Sequence, residues 1–354
     1  MAELKLNDLD YLEMPGLNVM LAHDFYPEGH QGGVGIIQNG LRIATNGDLR
    51  LEPSPGQWSP VPAVGERTFD REHQEILVRM SYPDDSKNRR GFNPIDYPEM
   101  SFAYTLKVRA ENRSFHIVAE LEDPLPKEWA GVVGLNLEFF PGYLFGKTYL
   151  MDSQSGIFPR QANGPGTMQS GEYRIQPLAV GRRLTVAPES DRQRITLEAV
   201  GSEPLQLIDG RGRHNNGWFV VRTLVEAGAD RVEWLVTPHP IDGWMSEPTI
   251  QVSQVGYHPD QRKVAVLELD AHDERDEPIV IFRIGDKGMR AARIGSPEVW
   301  GRFLRYRYLR YEFTDLVEPG MYVARYAGTE SAPFKIDEDV FERHVWQPTL
   351  ETFL

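Results

Sequence analysis

The stretch IQVSQVGYHPD, residues 250–260, decides how the last part of this 354-residue chain folds. It starts with apolar residues at alternate positions and ends in a Gly, Tyr, His, Pro run that favours a turn. The run KVAVLEL follows at 263–269, and another apolar run occupies 279–284. Short strand-like runs separated by turn residues are typical of an antiparallel sandwich, so we predict a β-domain here.

Two later stretches extend this pattern: FTDLVEPGMY at 313–322 and PFKIDEDVF at 333–341. In order and spacing, the three stretches resemble the immunoglobulin-like domain that precedes the catalytic domain in family-nine glycoside hydrolases of the cellulase or endoglucanase type. One departure is visible, because that family usually carries Asn where this chain has Ser253. The resemblance implies an immunoglobulin-like β-sandwich, which we place at 247–338.

The resemblance also implies a role. Enzymes of this family cut β-1,4-linked glucans, and the immunoglobulin-like module packs against a helical catalytic barrel. Glycosidic cleavage needs two carboxyl groups, and in the resembled family the base lies in an Asp-Ala-Gly-Asp type motif of the helical domain. That motif is absent from this sequence. We therefore predict no catalytic residue, no cofactor and no metal in this chain.

The C-terminal residues 347–354, QPTLETFL, favour the start of a helix, because Pro348 suits the first helical turn. Two helical turns are marginally stable by themselves. In the resembled family, the first helix of the catalytic barrel begins at this point. We therefore expect 339–354 to be a linker and the start of a helical catalytic domain that is missing here; a frayed tail is the alternative.

Composition favours an all-β protein. The chain has 32 Gly, 26 Pro, no Cys and a formal net charge of −14. This charge repels nucleic acid and anionic membranes but not a neutral glucan. No apolar run is long enough to span a membrane, and the first residues lack a secretory signal. The absence of Cys excludes disulfides and thiolate metal sites but leaves the compartment open.

Residues 237–248 contain three prolines, which interrupt strand pairing, so we place a domain junction near residue 246. The first domain, 1–246, holds ten alternating runs, more than the seven strands of an immunoglobulin sandwich. They predict a large two-sheet β-sandwich, and the dipeptide Asn39-Gly40 predicts a tight hairpin. The runs are 33–38, 41–45, 76–82, 101–109, 114–121, 135–140, 184–187, 194–200, 218–225 and 231–237.

Candidate metal ligands are few. His23, Asp24 and His30 supply two imidazoles and a carboxylate, but nothing in the sequence places them on a common face. The acidic run at 270–277 has oxygens suited to Ca²⁺ but lacks the spacing of a calcium loop. We interpret it as a solvated hairpin tip.

Candidate carboxylate pairs lie at 84–85 and at Asp96 with Glu99, in Pro-rich polar loops where a solvated role is expected. The Gly-rich stretch 209–217 has phosphate-cradle features but lacks the strand and helix that such a cradle requires. We interpret it as a surface loop.

Aromatic side chains are the better candidates for sugar contacts, since sugar rings pack on aromatic faces much as other amphipathic ligands do. Trp58 and Trp129 lie in polar, Pro-containing segments and are the predicted carbohydrate-binding residues. Trp218 and Trp234 fall in apolar runs, and we interpret them as core residues.

These features predict a non-catalytic N-terminal part of a β-1,4-glucan hydrolase, with its own helical catalytic domain and a polysaccharide as partners, and no nucleic acid or membrane. One alternative is a free-standing carbohydrate-binding protein that uses Trp58 or Trp129. Another is that the large sandwich is itself catalytic, as in some sugar epimerases and lyases. That alternative requires His23 or His214 to meet acidic side chains in one concave site.

Overall fold

The protein is all-β and divides into two compact units, Met1–Trp244 and Met245–Leu354. No helix in the described part of the chain is both long and apolar enough to cross a membrane. The computed structural model describes residues 2–23, 33–51, 60–83, 100–162, 164–169, 171–212, 218–303, 305–342, 345–346 and 350–352.

The described residues of the first unit form twenty strands and two short 3₁₀ helices. All ten predicted runs fall on strands; the strands that the sequence missed are mostly short or lie near sheet edges. The strands are β1 Lys5–Leu6, β2 Leu12–Met14, β3 Leu17–Leu21, β4 Val34–Gln38, β5 Leu41–Leu51, β6 Ala63–Asp70, β7 Glu75–Tyr82, β8 Phe102–Glu111, β9 Ser114–Leu121, β10 Val133–Phe139, β11 Thr148–Met151, β12 Gln154–Ile157, β13 Gly166–Gln169, β14 Glu172–Ile175, β15 Ala179–Gly181, β16 Arg183–Val186, β17 Ile195–Val200, β18 Leu205–Asp209, β19 Phe219–Leu224 and β20 Arg231–Pro238. The 3₁₀ helices are η1 Pro141–Tyr143 and η2 Gly210–Gly212.

Two nine-stranded antiparallel sheets account for most of this unit. Sheet one has the order β1-β2-β3-β4-β5-β10-β19-β18-β15, and sheet two has the order β12-β11-β16-β17-β20-β9-β8-β7-β6. Strands β13 and β14 form a separate hairpin. Neighbours that are far apart in sequence, such as β5 and β10, mean that long-range pairing builds both sheets.

The inner faces of the two sheets share one continuous apolar core. Trp234 of sheet two is fully buried there, and its indole Nε1–H donates to Thr223 Oγ1 of sheet one at 2.9 Å. The hydroxyl of Tyr82 donates to the Leu49 carbonyl at 2.8 Å and joins the sheets a second time. These contacts define a β-sandwich and confirm the predicted all-β fold class.

The hairpin predicted at Asn39-Gly40 connects β4 and β5, with φ of 47° and 74° at its two central residues. These positive angles are the ones that tight hairpins need. Asn39 is also fully buried, and its amide donates to the His239 carbonyl and accepts from the Ile241 N–H, both at 3.0 Å. The turn is therefore anchored to a segment 200 residues away.

The second unit is a smaller sandwich of a four-stranded sheet, β21-β22-β26-β25, and a five-stranded sheet, β24-β23-β27-β28 with β29 also paired to β27. Its strands are β21 Thr249–Gln251, β22 Val264–Asp270, β23 Ile279–Gly285, β24 Gly288–Gly295, β25 Glu298–Phe303, β26 Tyr306–Glu312, β27 Gly320–Tyr326, β28 Thr329–Glu330 and β29 Phe334–Ile336.

The three sequence motifs meet in the core of this unit. Tyr257 of the first motif lies 5.5 Å from Phe313 of the second and 5.6 Å from Phe334 of the third, between ring centroids. Tyr322 stacks on Phe334 at 5.9 Å, and its hydroxyl donates to the Glu318 carbonyl at 2.7 Å. Such a Tyr, bonded to backbone a few residues upstream, is a recurrent feature of immunoglobulin sandwiches.

At the C-terminus, the N–H of Leu350 donates to the Trp346 carbonyl at 3.0 Å. This i→i−4 bond is of the α-helical kind. It falls in the segment where the sequence predicts the start of a helix.

Candidate functional site

Seven of the charged residues considered from the sequence lie outside the described residues. These are Asp24, His30, Asp84, Asp85, Asp96, Glu99 and His214, together with the candidate platform Trp58. The described residues contain no group of three His, Asp or Glu side chains that could hold a metal ion.

The described tryptophans differ in environment. Trp129, the other candidate platform, is half-buried, and part of its surface packs against the core of the first unit; its sugar contact stays a prediction. Trp234 is a core residue, as predicted. Trp218 is half-buried and lies outside the core, so the core interpretation is wrong for it. The reason is its position directly before β19, which places it in phase with the outward-facing Val220 rather than with the core residues.

His23 contacts the backbone of Leu9 and the ring of Tyr11. Its Nε2 lies 2.9 Å from the Leu9 carbonyl oxygen, and its ring meets Tyr11 edge-on at 6.0 Å.

The acidic run at 270–277 is not a solvated tip throughout, which corrects the sequence interpretation. Asp273 is 1% exposed, and its carboxylate accepts hydrogen bonds from Arg275 at 2.5 and 2.8 Å. Arg307 donates to the Asp273 carbonyl at 2.8 Å, and the Tyr326 hydroxyl donates to the Arg275 carbonyl at 3.0 Å. Contacts from two other strands therefore fold this loop over its own ion pair, which sequence spacing could not indicate.

Among the described residues, six buried side chains that carry a charge or an amide group occupy the outer face of sheet one, away from the core. Successive side chains of a strand alternate between faces, and in β10 the odd-numbered residues fill the core while the even-numbered ones face outward. Three adjacent strands, β5, β10 and β19, supply the group. We call it the polar cluster; its members are Asn46, Asp48, Arg50, Asn136, Glu138 and Arg222.

Strand register places Asn136 at the centre of the polar cluster. Its neighbour on β5 is Asp48, and its neighbour on β19 is Arg222. One outward position earlier, Gly134 pairs with Arg50, and a Cβ there would lie 2.8 Å from Arg222 Nε. Because Gly134 has no side chain, it leaves room for the Arg222 guanidinium to lie over β10.

The charged members pair with one another. Arg50 Nε donates to Asp48 Oδ1 at 2.5 Å, and its Nη1 lies 3.9 Å from Glu138 Oε1. Asn46 Nδ2 donates to Glu138 Oε2 at 2.6 Å. These side chains are at least nine-tenths buried, and pairing lowers the cost of burying each charge.

The pKa shifts follow from burial and pairing. Burial raises the pKa of the Asp48 carboxyl above its ordinary value, and the Arg50 guanidinium opposes that shift. Burial lowers the pKa of Arg50, but the carboxylates of Asp48 and Glu138 raise it by more. The guanidinium therefore stays charged at every accessible pH and holds the carboxylates in place.

The two amides are less well satisfied. Asn136 is 1% exposed, and within the described part of the chain neither its Oδ1 nor its Nδ2 has a hydrogen-bond partner. The Oδ1 of Asn46 also lacks one there. A buried polar atom without a partner destabilises the fold by about 1–3 kcal/mol, so these two side chains call for an explanation.

Aromatic rings bound the polar cluster at one end of β10. Phe140 follows the last residue of β10, and Trp218 precedes the first residue of β19; their ring centroids lie 4.5 Å apart at 88°. The Arg42 guanidinium lies 5.7 Å from the Phe140 ring centroid. The same face thus carries buried hydrogen-bonding groups and, beyond Glu138, half-buried apolar rings.

Sequence reasoning missed the polar cluster for a definite reason. The predicted run at 41–45 ends too early, because β5 continues through a bulge to Leu51. In β10, the alternation of Leu with Asn136 and Glu138 indicates a half-buried strand with a solvated polar face. The usable signal was an unusual one: oppositely charged and amide residues at outward positions of three strands.

The second unit has a groove of ≈ 650 Å³, lined by Val255, Lys335, Asp339, Val340 and Val345 among others. Exposed apolar side chains lie close by in sequence, with Phe341, Trp346 and Leu350 each more than two-fifths exposed. Apolar surface of this kind often marks a site of contact with another protein or domain.

Residues 245–331 match the family model described as the cellulase N-terminal ig-like domain. This part of the chain is therefore similar to the immunoglobulin-like domain found at the N-terminus of cellulases. The match agrees with the sandwich of the second unit and with the meeting of its three motifs in one core. The predicted resemblance to the N-terminal region of family-nine glycoside hydrolases is confirmed for these residues.

Solved structures include two similar glycoside hydrolases. A metagenome-derived glycoside hydrolase family 9 endoglucanase has 30% identity over 25% of this chain and 18% of its own, with a TM-score of 0.21. A family 9 enzyme of Bacteroides ovatus has 23% identity over 27% of this chain and 16% of its own, with a TM-score of 0.23. The aligned part therefore spans less than a fifth of either enzyme.

The Slr1438 protein of Synechocystis sp. PCC 6803 has 12% identity over 64% of this chain and 93% of its own, with a TM-score of 0.32. No curated protein sequence matches the chain.

Proposed function

We propose that this chain is the non-catalytic N-terminal part of a glycoside hydrolase that acts on β-1,4-linked glucans. The observation that carries the proposal is the cellulase N-terminal immunoglobulin-like domain at 245–331. One solved relative of this region is named as an endoglucanase. The hydrolytic carboxylates then belong to a helical catalytic domain, and the polysaccharide binds mainly there.

The immunoglobulin-like domain braces that catalytic domain in this proposal. Support comes from the exposed apolar side chains of the C-terminal segment, where Trp346 is 55% and Leu350 is 47% exposed. Val255, 41% exposed, lines the nearby groove. Burial of such side chains against a partner domain contributes roughly 25 cal/mol per Å² of apolar surface.

The test is reducing-sugar release from carboxymethyl cellulose, barley β-glucan and xylan. The 354-residue chain is compared with the product of its complete coding sequence. We expect glucan hydrolysis only when the helical domain is present, and little activity on xylan. Glucan hydrolysis by the 354 residues alone would overturn the proposal and direct attention to carboxylates of the first unit.

A further inference from the structure

We propose that the polar cluster on sheet one is a binding site for a neutral saccharide, with Asn136 as its central hydrogen-bonding residue and Asn46 beside it. This inference concerns the first unit alone and does not rest on the proposed function of the second. It assigns a ligand site to residues 46–50, 134–138 and 218–222, which the family match at 245–331 does not include.

The amide groups without hydrogen-bond partners are the first observation that supports a ligand site. An Asn side chain has two N–H donors and a carbonyl with two lone pairs, and the described protein satisfies none of these at Asn136. Asn136 lies between Asp48 and Arg222 in the strand register, within the cluster rather than at its margin. Such a group is retained when a ligand or an ordered water completes its hydrogen bonds.

The charges indicate a neutral ligand. Asp48 and Glu138 are formally negative residues, Arg50 and Arg222 are formally positive residues, and all four lie in the polar cluster. Asp48 is engaged by Arg50, and Glu138 accepts from Asn46. Because the formal charges of these four residues cancel, the polar cluster itself gives neither a phosphate nor a cation the long-range attraction that recognition of an ion requires.

The available hydrogen-bonding groups indicate hydroxyls. An amide offers a donor and an acceptor side by side, and a pair of adjacent hydroxyl groups presents the complementary set. The half-buried rings of Phe140 and Trp218 lie at the end of the same strands and provide an apolar surface for C–H groups. A face that combines a few placed polar groups with aromatic surface is typical of small-molecule sites.

The distance between the amide of Asn136 and the aromatic rings at Phe140 suits a ligand that is long enough to reach both. Asn136 and Phe140 are four positions apart, which corresponds to about 13 Å along a strand. The ligand class is therefore a mono- or oligosaccharide whose hydroxyls meet the amides and whose ring packs on the aromatic end.

The decisive variant is Asn136→Leu, of similar volume, in the full chain. If the amide serves a ligand, the free protein keeps or gains thermal stability, because an unpaired polar group is replaced by an apolar one. Saccharide affinity falls about tenfold or more, the effect of losing one or two hydrogen bonds. Asn18→Leu is the matched control: Asn18 lies on the outward side of β3, three strands from β10 in sheet one, and leaves affinity unchanged.

Binding is measured by calorimetry and thermal shift with glucose, cellobiose, cellotetraose, maltotetraose and xylotetraose, and with glucose 6-phosphate and glucosamine as charged analogues. We expect at least one neutral sugar to bind, to raise Tm by about 5 °C at a hundredfold excess over Kd, and to bind more tightly than either analogue. Trp218→Ala weakens this binding as well.

Three results would overturn the proposal. The first is that no neutral sugar binds at up to about 10 mM, which exceeds the Kd of weak specific ligands. The second is that a sugar binds but its affinity is unchanged by Asn136→Leu. The third is that Asn136→Leu lowers Tm, as expected if the amide only holds a structural water. Because these readouts are binding and Tm, they are independent of whether the complete enzyme hydrolyses glucans.

Discussion

Asp48 and Arg50, two positions apart on one strand, form an ion pair on the outer face of sheet one. The Nε–Oδ1 distance is 2.5 Å, and a second hydrogen bond joins Nη2 to Oδ2 at 3.3 Å. Asp48 is 0% and Arg50 is 7% exposed. Removal of one partner from a buried pair leaves an uncompensated charge, whereas removal of both does not.

Arg50→Met is therefore expected to lower the free energy of unfolding of the first unit by about 3–5 kcal/mol. The double variant Asp48→Leu/Arg50→Met should recover much of that loss. Chemical denaturation monitored by tryptophan fluorescence measures both. Arg79→Met is the matched control. Arg79 also pairs with a carboxylate, that of Glu122 at 2.5 Å, but both side chains are exposed to solvent, so its loss should change stability little. Equal effects of the two single variants would contradict the role given to burial.

Asp273 gives the second unit a defined acid sensitivity. Hydrogen bonds from Arg275 lower the pKa of Asp273 below its ordinary value of 3.8, although burial opposes the shift. A carboxyl with a lowered folded-state pKa stabilises the fold above its unfolded pKa and loses this contribution as pH falls through the folded pKa. Asp273→Asn should cost about 1–3 kcal/mol near neutral pH and progressively less below pH 3.8.

The exposed Asp276 of the same loop supplies the control. Asp276→Asn should change the free energy of unfolding little at neutral pH. Thermal unfolding at a series of pH values between neutrality and the acid limit measures both variants. If the difference in Tm between wild type and Asp273→Asn were the same at every pH in this range, the ion pair of Asp273 and Arg275 would not be the source of the acid sensitivity.

Gly256, in the turn of the first motif, combines a positive φ of 106° with close contacts. A Cβ there would lie 2.4 Å from the Lys335 carbonyl oxygen and 2.7 Å from Val340 Cγ2. Gly288 has nearly the same φ, 108°, but nothing within 4 Å of an added Cβ. Gly288→Ala should cost about 1–2 kcal/mol, the strain of an L-residue in this region.

Gly256→Ala should destabilise the immunoglobulin-like domain considerably more than Gly288→Ala, because the carbonyl in its path is backbone and cannot rotate away. Proteolysis of the native state, which reports the open population, compares the two variants. Similar protease resistance would mean that the turn opens at little cost and that its glycine is needed only for its conformation.

Trp346 tests the proposed bracing of a catalytic domain. In the complete enzyme, Trp346→Ser should lower the Tm of the catalytic domain by several degrees, since apolar contact surface is lost. Trp300→Ser is the control, because Trp300 is equally exposed, at 53% against 55%, but lies on β25 rather than in the C-terminal segment. In the 354-residue chain, neither variant should change Tm appreciably. A fall in Tm there with Trp346→Ser would assign the residue to the internal packing of this unit instead.

The sequence was informative wherever a residue's conformation depends only on its neighbours in the chain. The positive φ angles at Asn39 and Gly40 follow from residue type, and all ten alternating runs became strands. The prediction of a solvated loop at 270–277 was wrong because the burial of Asp273 depends on Arg307 and Tyr326, which come from distant strands. Charge content alone indicates a solvated loop and carries no information on such contacts.

The sequence by itself determined the all-β class, the ten strand runs of the first unit and the hairpin at Asn39-Gly40. The tertiary structure alone decided that the outward faces of β5, β10 and β19 are buried, and so gathered Asn136 with Asp48 and Arg222. The physical reason is that a period of two assigns a side chain to one face of a strand. Strands from positions about 90 residues apart in the chain must pair before polar residues on that face become a cluster.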